Sequence, residues 1–195
     1  MKTIETTLKT TAIYSDDGKK RFLLRKVWDE TKPKAAIIML NPAEADGIAL
    51  DSTTMLVLNN ASRLGFGAIS ILNLFAEFAE DPLKAGTAGD EENLKAIVAE
   101  AKEADTVIYA PGVGRASNQA FQIRAGQVLL ALKGSEKKLY CITTPDGSNK
   151  YLHPLYPGVR TWTLKPMTTE EVFPGAPAEA KESTVKKPIR KKTTA

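Results

Sequence analysis

The chain has 195 residues, of which 43% are hydrophobic, and this favours one domain with a substantial core over two smaller ones. Its single cysteine excludes an internal disulfide, and its single histidine excludes a metal site built from several histidines. The net charge of +4 lies in residues 176–195, which contain six Lys/Arg and two Glu, so residues 1–175 are neutral overall. We find no signal-peptide core at the N-terminus and no apolar run of membrane-spanning length, so we expect a cytoplasmic protein with no membrane partner.

The first elements in the chain are two stretches rich in β-forming residues, 10–15 and 21–28, with an Asp-Gly pair between them. Asp-Gly is a strong hairpin signal, so we predict an antiparallel hairpin. Residues 35–40 are an unbroken apolar run that ends at Asn41 and Pro42. Such a run is typical of a strand covered on both faces, and the proline predicts that the chain leaves the sheet there.

Helices and strands alternate in the rest of the chain. Apolar spacing, capping residues and glycine stops predict three helices, over residues 52–64, over 91–103, and from about 115 to Gly134. Buried strands are predicted over residues 67–75, 106–110 and 138–143.

This order predicts an α/β fold. We expect a three-layer α/β/α sandwich with a mainly parallel central sheet and the N-terminal antiparallel hairpin at one edge. Residues 1–166 would form the single domain. Residues 167–195, which are rich in Pro, Ala, Lys and Glu, would form a flexible basic C-terminal tail.

Three polar residues that lie far apart in the chain suggest a site. Asn41 and Asn73 end two predicted strands, and His153 lies in a loop after the fourth buried strand. Ligands of open α/β sheets bind at the carboxyl ends of the strands, where these residues would meet. Asparagine can read a nucleobase edge or position a water, and histidine can donate to a developing negative charge. The alternative is that Asn41 only caps a turn and that His153 is a structural loop histidine.

Six further residues are candidates for substrate binding: Asp51, Thr53, Gly112, Gly114, Arg115 and Arg124. The two glycines follow a predicted strand, where backbone amides can seat a phosphate with the help of Arg115. The alternative is a tight strand-to-helix turn, because the third glycine of a dinucleotide fingerprint is lacking. Asp51 and Thr53 could instead be capping residues, and Arg115 and Arg124 could be solvated helix residues. We find no metal-ligand spacing, nucleophile elbow or Walker loop, and we expect no metal and no cofactor.

Several motifs, in order, resemble a bacterial and phage family known as domain of unknown function 1643: Asn41-Pro-Ala, Asp51-x-Thr53, Leu64-Gly-Phe-Gly67, Ile71-Leu-Asn-Leu-Phe75, Arg124 and His153-Pro-Leu155. The resemblance covers roughly residues 12–166 and is carried by the order of the motifs. It implies no particular activity.

A more distant resemblance is to the uracil/thymine-DNA glycosylase superfamily, whose fold is an α/β/α sandwich. Its mismatch-specific branch has Gly-Ile-Asn-Pro-Gly after the first core strand, and this chain has Met39-Leu-Asn-Pro-Ala43 there. The resemblance implies that Asn41 positions the hydrolytic water and that Asn73 reads a flipped base. His153-Pro154 matches a late His-Pro loop of the superfamily.

We therefore carry three hypotheses. The first is a glycosylase-like enzyme that hydrolyses the N-glycosidic bond of a nucleotide or a modified base, with His153 stabilising charge. The second is a noncatalytic nucleotide or nucleic-acid binding module of the same fold, whose basic tail raises affinity. The third is an interaction protein whose cleft is vestigial.

Overall fold

The structure is a computed structural model that describes residues 1–43, 48–79, 83, 90–134 and 138–172. The elements, in chain order, are β1 (Lys9–Tyr14), β2 (Arg21–Val27), β3 (Lys34–Met39), α1 (Ser52–Arg63), β4 (Ala68–Asn73), α2 (Glu91–Glu103), β5 (Thr106–Tyr109), α3 (Gln119–Ala131), β6 (Leu139–Thr143), β7 (Thr163–Pro166) and α4 (Thr169–Val172).

The strands form one sheet in the order β1-β2-β4-β3-β5-β6-β7. The predicted α/β class and the hairpin at one edge are confirmed, but the prediction of a mainly parallel sheet is wrong. Among the described residues, the β4–β3, β3–β5 and β5–β6 pairs are parallel, while β1–β2, β2–β4 and β6–β7 are antiparallel. The sheet is mixed because β2 pairs with β4 against its direction and because the chain returns from β6 to β7 without a crossover helix.

Alternate residues of the parallel strands divide between two hydrophobic clusters. The first cluster contains Ile38, Leu72, Val107 and Cys141 with Ile97 of α2 and Val128 of α3. The second cluster contains Ile37, Ile71, Ile108 and Ile142 with Val57 of α1. Both faces of β3 are therefore buried, which explains its continuous apolar sequence and confirms that prediction. The single cysteine, Cys141, is buried in the first cluster. The three-layer arrangement of the whole domain stays a prediction.

Two helices begin where the sequence predicts, and the third begins later. Helix α1 starts after Asp51, whose Oδ1 accepts a hydrogen bond of 2.6 Å from the Thr54 amide. Helix α3 starts at Gln119 rather than near Arg115. The Asn118 side chain caps it by accepting 3.1 Å from the Phe121 amide, and the residues before Asn118 form a separate turn. An asparagine cap four residues into the predicted helix thus determines where the helix begins.

The structured part of the chain extends beyond residue 166. Met167, the first residue of the predicted tail, is buried in the first cluster, and its amide donates to the Leu139 carbonyl at 3.0 Å. Helix α4 follows it. Residues 173–195, which hold the rest of the predicted tail, lie outside the described residues. None of the helices in the described part of the chain is long and apolar enough to cross a membrane.

Candidate functional site

The two asparagines lie at the same end of the sheet. Asn73 is the last residue of β4 and pairs in register with Met39, the last residue of β3. The two segments stay side by side beyond their strands, because the Leu74 amide donates to the Met39 carbonyl at 2.8 Å and the Phe75 amide donates to the Leu40 carbonyl at 3.0 Å. Asn41 therefore enters the loop next to the end of β4.

Asn73 is the most unusual residue at this end of the sheet. Its side chain is 1% exposed, yet neither Nδ2 nor Oδ1 has a hydrogen-bond partner among the described residues. Leaving a buried amide unsatisfied costs about 1 to 3 kcal/mol per group, so such residues are rare unless they serve a purpose. Ile69 and Ile71 belong to the second cluster, and Asn73 continues their alternation toward the face covered by α1.

His153 lies against Gly112. A Cβ built on Gly112 would be 3.2 Å from the His153 Cβ, and the Gly112 amide donates to the Tyr151 carbonyl at 3.1 Å. Burial lowers the pKa of His153, and the negative charge of Asp51 opposes this effect. The loop after β5, the loop after β6 and the start of α1 thus converge on one place.

The hydrogen bonding of His153 assigns roles to its two ring nitrogens. Nδ1 accepts a hydrogen bond of 3.2 Å from the Leu155 amide. The neutral imidazole must then carry its proton on Nε2, which we infer from this bond. With a lowered pKa the neutral form dominates at pH 7, so Nε2 can donate to an electron-rich ligand atom.

Asn41 is half-buried, and its amide is weakly engaged. Nδ2 lies 3.4 Å from the Pro42 carbonyl, which is at the long end of the range for hydrogen bonds. This contact is too weak to hold the side chain as a turn cap. The amide can therefore bind a water or a ligand with little loss of hydrogen-bond energy.

Arg21, the first residue of β2, also lies at this end of the sheet, and the sequence analysis missed it. Its amide donates to the Ala76 carbonyl at 2.9 Å, and its Nη1 donates to the Ala43 carbonyl at 3.1 Å. Burial lowers the pKa of the guanidinium, whereas the charge of Asp51 raises it. An antiparallel β2 starts where β4 ends, which brings Arg21 to the loop after β3. No local signal marks this, since the pairing of β2 with β4 is nonlocal.

We refer to this region as the carboxyl-end site, and it consists of Arg21, Asn41, Asp51, Asn73, Gly112 and His153. Thr53 lies half-buried in the first turn of α1, next to Asp51. Gly114 and Arg115 lie in the exposed turn that precedes α3. The described part of the chain contains no group of three or more His, Cys, Asp or Glu side chains arranged to hold a metal ion.

Arg124 is held by main-chain carbonyls beside this site. It lies on α3 and is 1% exposed. Its Nε donates to the Leu74 carbonyl at 2.7 Å, and its Nη2 donates to the Asp90 carbonyl at 3.3 Å. Asp90 is the N-cap of α2, so the guanidinium joins α3 to the residue that follows β4 and to the start of α2. The proposed role of Arg124 in substrate binding stays a prediction.

Substitution of Gly112 by alanine tests the contact with His153. Gly112 has φ +84°, so alanine there should cost about 1 to 2 kcal/mol of unfolding free energy from backbone strain alone. Gly158 has φ +85° with no atom near its would-be Cβ, so Gly158→Ala carries the same strain without the contact. We expect urea denaturation to show a larger loss for Gly112→Ala, together with a shifted His153 resonance. Equal losses and an unmoved resonance would contradict the close packing.

Comparison with curated proteins and with solved structures finds no match for the chain. Residues 21–155 match the family described as "Protein of unknown function (DUF1643)". This range is more than half of the chain, and it runs from Arg21 to just beyond His153. The chain therefore belongs to the DUF1643 family of proteins of unknown function.

Proposed function

We propose that the carboxyl-end site binds a nucleobase and that the protein hydrolyses the N-glycosidic bond of the base it holds. The observation that carries this proposal is the Asn73 amide, which is buried with both its donor and its acceptor unused. A nucleobase edge presents a donor and an acceptor side by side, so it can satisfy both groups at once. The resemblance to uracil/thymine-DNA glycosylases supports the same role. The two hydrophobic clusters support the layered fold that this resemblance implies.

In the proposed reaction, Asn41 holds a water beside the sugar carbon C1′. The water oxygen bonds to C1′ as the bond from C1′ to the base nitrogen breaks, and the electron pair of that bond goes to the base. The His153 Nε2–H donates a hydrogen bond to the base oxygen on which negative charge develops. The proton lost by the water finally protonates the base, so the products are a free base and a sugar with a hydroxyl group at C1′.

Replacement of Asn41 by alanine tests the water-positioning role. We expect the rate of base release from oligonucleotides that carry uracil, mismatched thymine or hydroxymethylated bases to fall about 100-fold, because a misplaced water loses its attack geometry. Asn59→Ala is the matched control, since Asn59 is an exposed asparagine on α1. Base release is measured by strand cleavage at the abasic product. An Asn41→Ala variant as active as the parent would remove the mechanism.

One observation favours a second candidate, a noncatalytic nucleotide-binding module. Asp51, the carboxylate of the carboxyl-end site, is engaged as the cap of α1 through Oδ1 and is thus not arranged as a general base. Equilibrium dialysis with nucleosides, beside the release assay, separates the two candidates. Binding that depends on Asn73 without any base release would establish the binding module.

The single histidine makes the acid–base state of the site directly measurable. Burial lowers the pKa of His153 below its usual value of about 6.5, so the unfolded chain takes up the proton first as the pH falls. The free energy of unfolding should therefore decrease as the pH falls from about 6.5 toward the lower folded pKa. His153→Gln should flatten that part of the curve. Proton NMR titration of the one imidazole gives the pKa, and a midpoint at or above about 6.5 would contradict the prediction.

A further inference from the structure

We propose that the stacked side chains of Tyr14 and Phe78 form an aromatic platform for a second base, so that the ligand is a single-stranded nucleic acid rather than a lone nucleotide. This inference rests on the proposed function, since the first base is the one at Asn73. DNA and RNA single strands share the required chemistry, which is a planar base joined through a phosphate to its neighbour.

The two rings are stacked and open to solvent. Their centroids are 6.3 Å apart with an interplanar angle of 22°, and Tyr14 and Phe78 are 39% and 38% exposed. Proteins that bind single strands stack successive bases on such exposed rings, because every base has a π-face. A base can stack on the outer face of this exposed pair without rearrangement of the protein, because the two rings already lie in a stacked arrangement.

A β-bulge at the end of β1 and a backbone hydrogen bond of Phe78 hold the two rings in place. Strands β1 and β2 pair Ile13 with Leu23 but then pair Tyr14 with Arg21, so the register shifts and Phe22 has no residue opposite. Bulges of this kind re-aim a side chain next to functional sites. Phe78 is fixed from the other side, where its amide donates to the Lys19 carbonyl at 3.0 Å.

Arg21 connects the platform to the carboxyl-end site. Its Cζ lies 5.8 Å from the centroid of the Phe78 ring, and its Nη1 lies 3.1 Å from the Ala43 carbonyl, in the loop that contains Asn41. One guanidinium therefore spans the distance between the aromatic rings and this loop. Arg21 is 2% exposed, so its positive charge would attract the phosphate that links two nucleotides through the field between the platform and this loop.

The test is fluorescence anisotropy with the full chain and labelled thymidine mononucleotide, oligothymidylate and oligouridylate, the oligomers being about eight nucleotides long. We expect the oligomers to bind more tightly than the mononucleotide. Tyr14→Ala and Phe78→Ala should each weaken oligomer binding by about 5- to 100-fold, in line with the loss of one stacked base, and leave mononucleotide binding unchanged. Tyr14→Phe should bind like the parent. Ile123→Ala, an exposed apolar residue on α3, is the control for loss of surface.

The outcomes separate this inference from the proposed function. Equal affinity for mononucleotide and oligomers, or platform variants that bind oligomers like the parent, would overturn the inference and leave the base site standing. Oligomer binding that requires the platform but not Asn73 would support the platform and contradict the proposed function. A preference for oligothymidylate or for oligouridylate identifies which kind of strand the platform takes.

Discussion

Replacing Asn73 by leucine is expected to stabilise the free protein and to destroy base binding. Leucine has nearly the shape of asparagine, and it removes two buried polar atoms that have no partner among the described residues. The free energy of unfolding should rise by about 1 to 3 kcal/mol in urea denaturation. Affinity for nucleosides and oligonucleotides, measured by dialysis, should fall by about 100-fold or more, because the polar edge of the base is left unpaired.

Asn93 provides the matched control for this prediction. It is also a fully buried asparagine, and its Oδ1 has no partner among the described residues, but its Nδ2 donates to the Asn73 carbonyl at 3.0 Å and to the Leu74 carbonyl at 3.1 Å. Asn93→Leu should therefore lower the free energy of unfolding by about 1 to 2 kcal/mol. The same substitution is thus expected to raise the free energy of unfolding at Asn73 and to lower it at Asn93. A loss of stability in Asn73→Leu comparable to that in Asn93→Leu would show that Asn73 is an ordinary structural amide.

The second large effect is expected at Arg124. Arg124→Leu leaves the Asp90 carbonyl without its charged donor and takes one of two donors from the Leu74 carbonyl. We expect the free energy of unfolding to fall by about 1.5 to 3 kcal/mol, because charge-assisted hydrogen bonds to two carbonyls are lost while each carbonyl keeps one other donor. Thermal and urea denaturation measure this loss directly.

Two further variants show whether charge or geometry is responsible. Lys95→Leu removes one positive charge from an exposed position of α2 and should change stability by less than about 0.5 kcal/mol. Arg124→Lys keeps the charge but lacks the planar fork that reaches two carbonyls at once, so it should recover only part of the loss. If Arg124→Leu were as stable as the parent, the guanidinium would have no structural role.

Elements that depend on local sequence were predictable. The buried strand β3, the caps of α1 and α2, and the Asp-Gly turn all follow from residues within a few positions of one another. The antiparallel pairing of β2 with β4 and the return of β7 beside β6 were not predictable in this way. Both depend on which distant segment fills a sheet edge, and no short stretch of sequence records that choice.

The residues of the candidate site were likewise predictable where local sequence places them and not where distant segments must meet. The placement of Asn73 beside the end of β3 follows from parallel strands that end in polar residues, and the structure shows that register. Arg21 was missed because it reaches the site through the nonlocal pairing of β2 with β4. Arg124 was chosen on a motif, and its burial against two carbonyls could be seen only once α3 was placed over the sheet.

The Leu74 carbonyl has a mechanical consequence. It accepts from Asn93 on α2 and from Arg124 on α3, which occupies both of its lone pairs immediately after Asn73. A shift of either helix should therefore displace the backbone next to Asn73 and change the position of its side-chain amide. Under the proposed function, substitutions in α2 or α3 should thus change affinity for a base without contacting it.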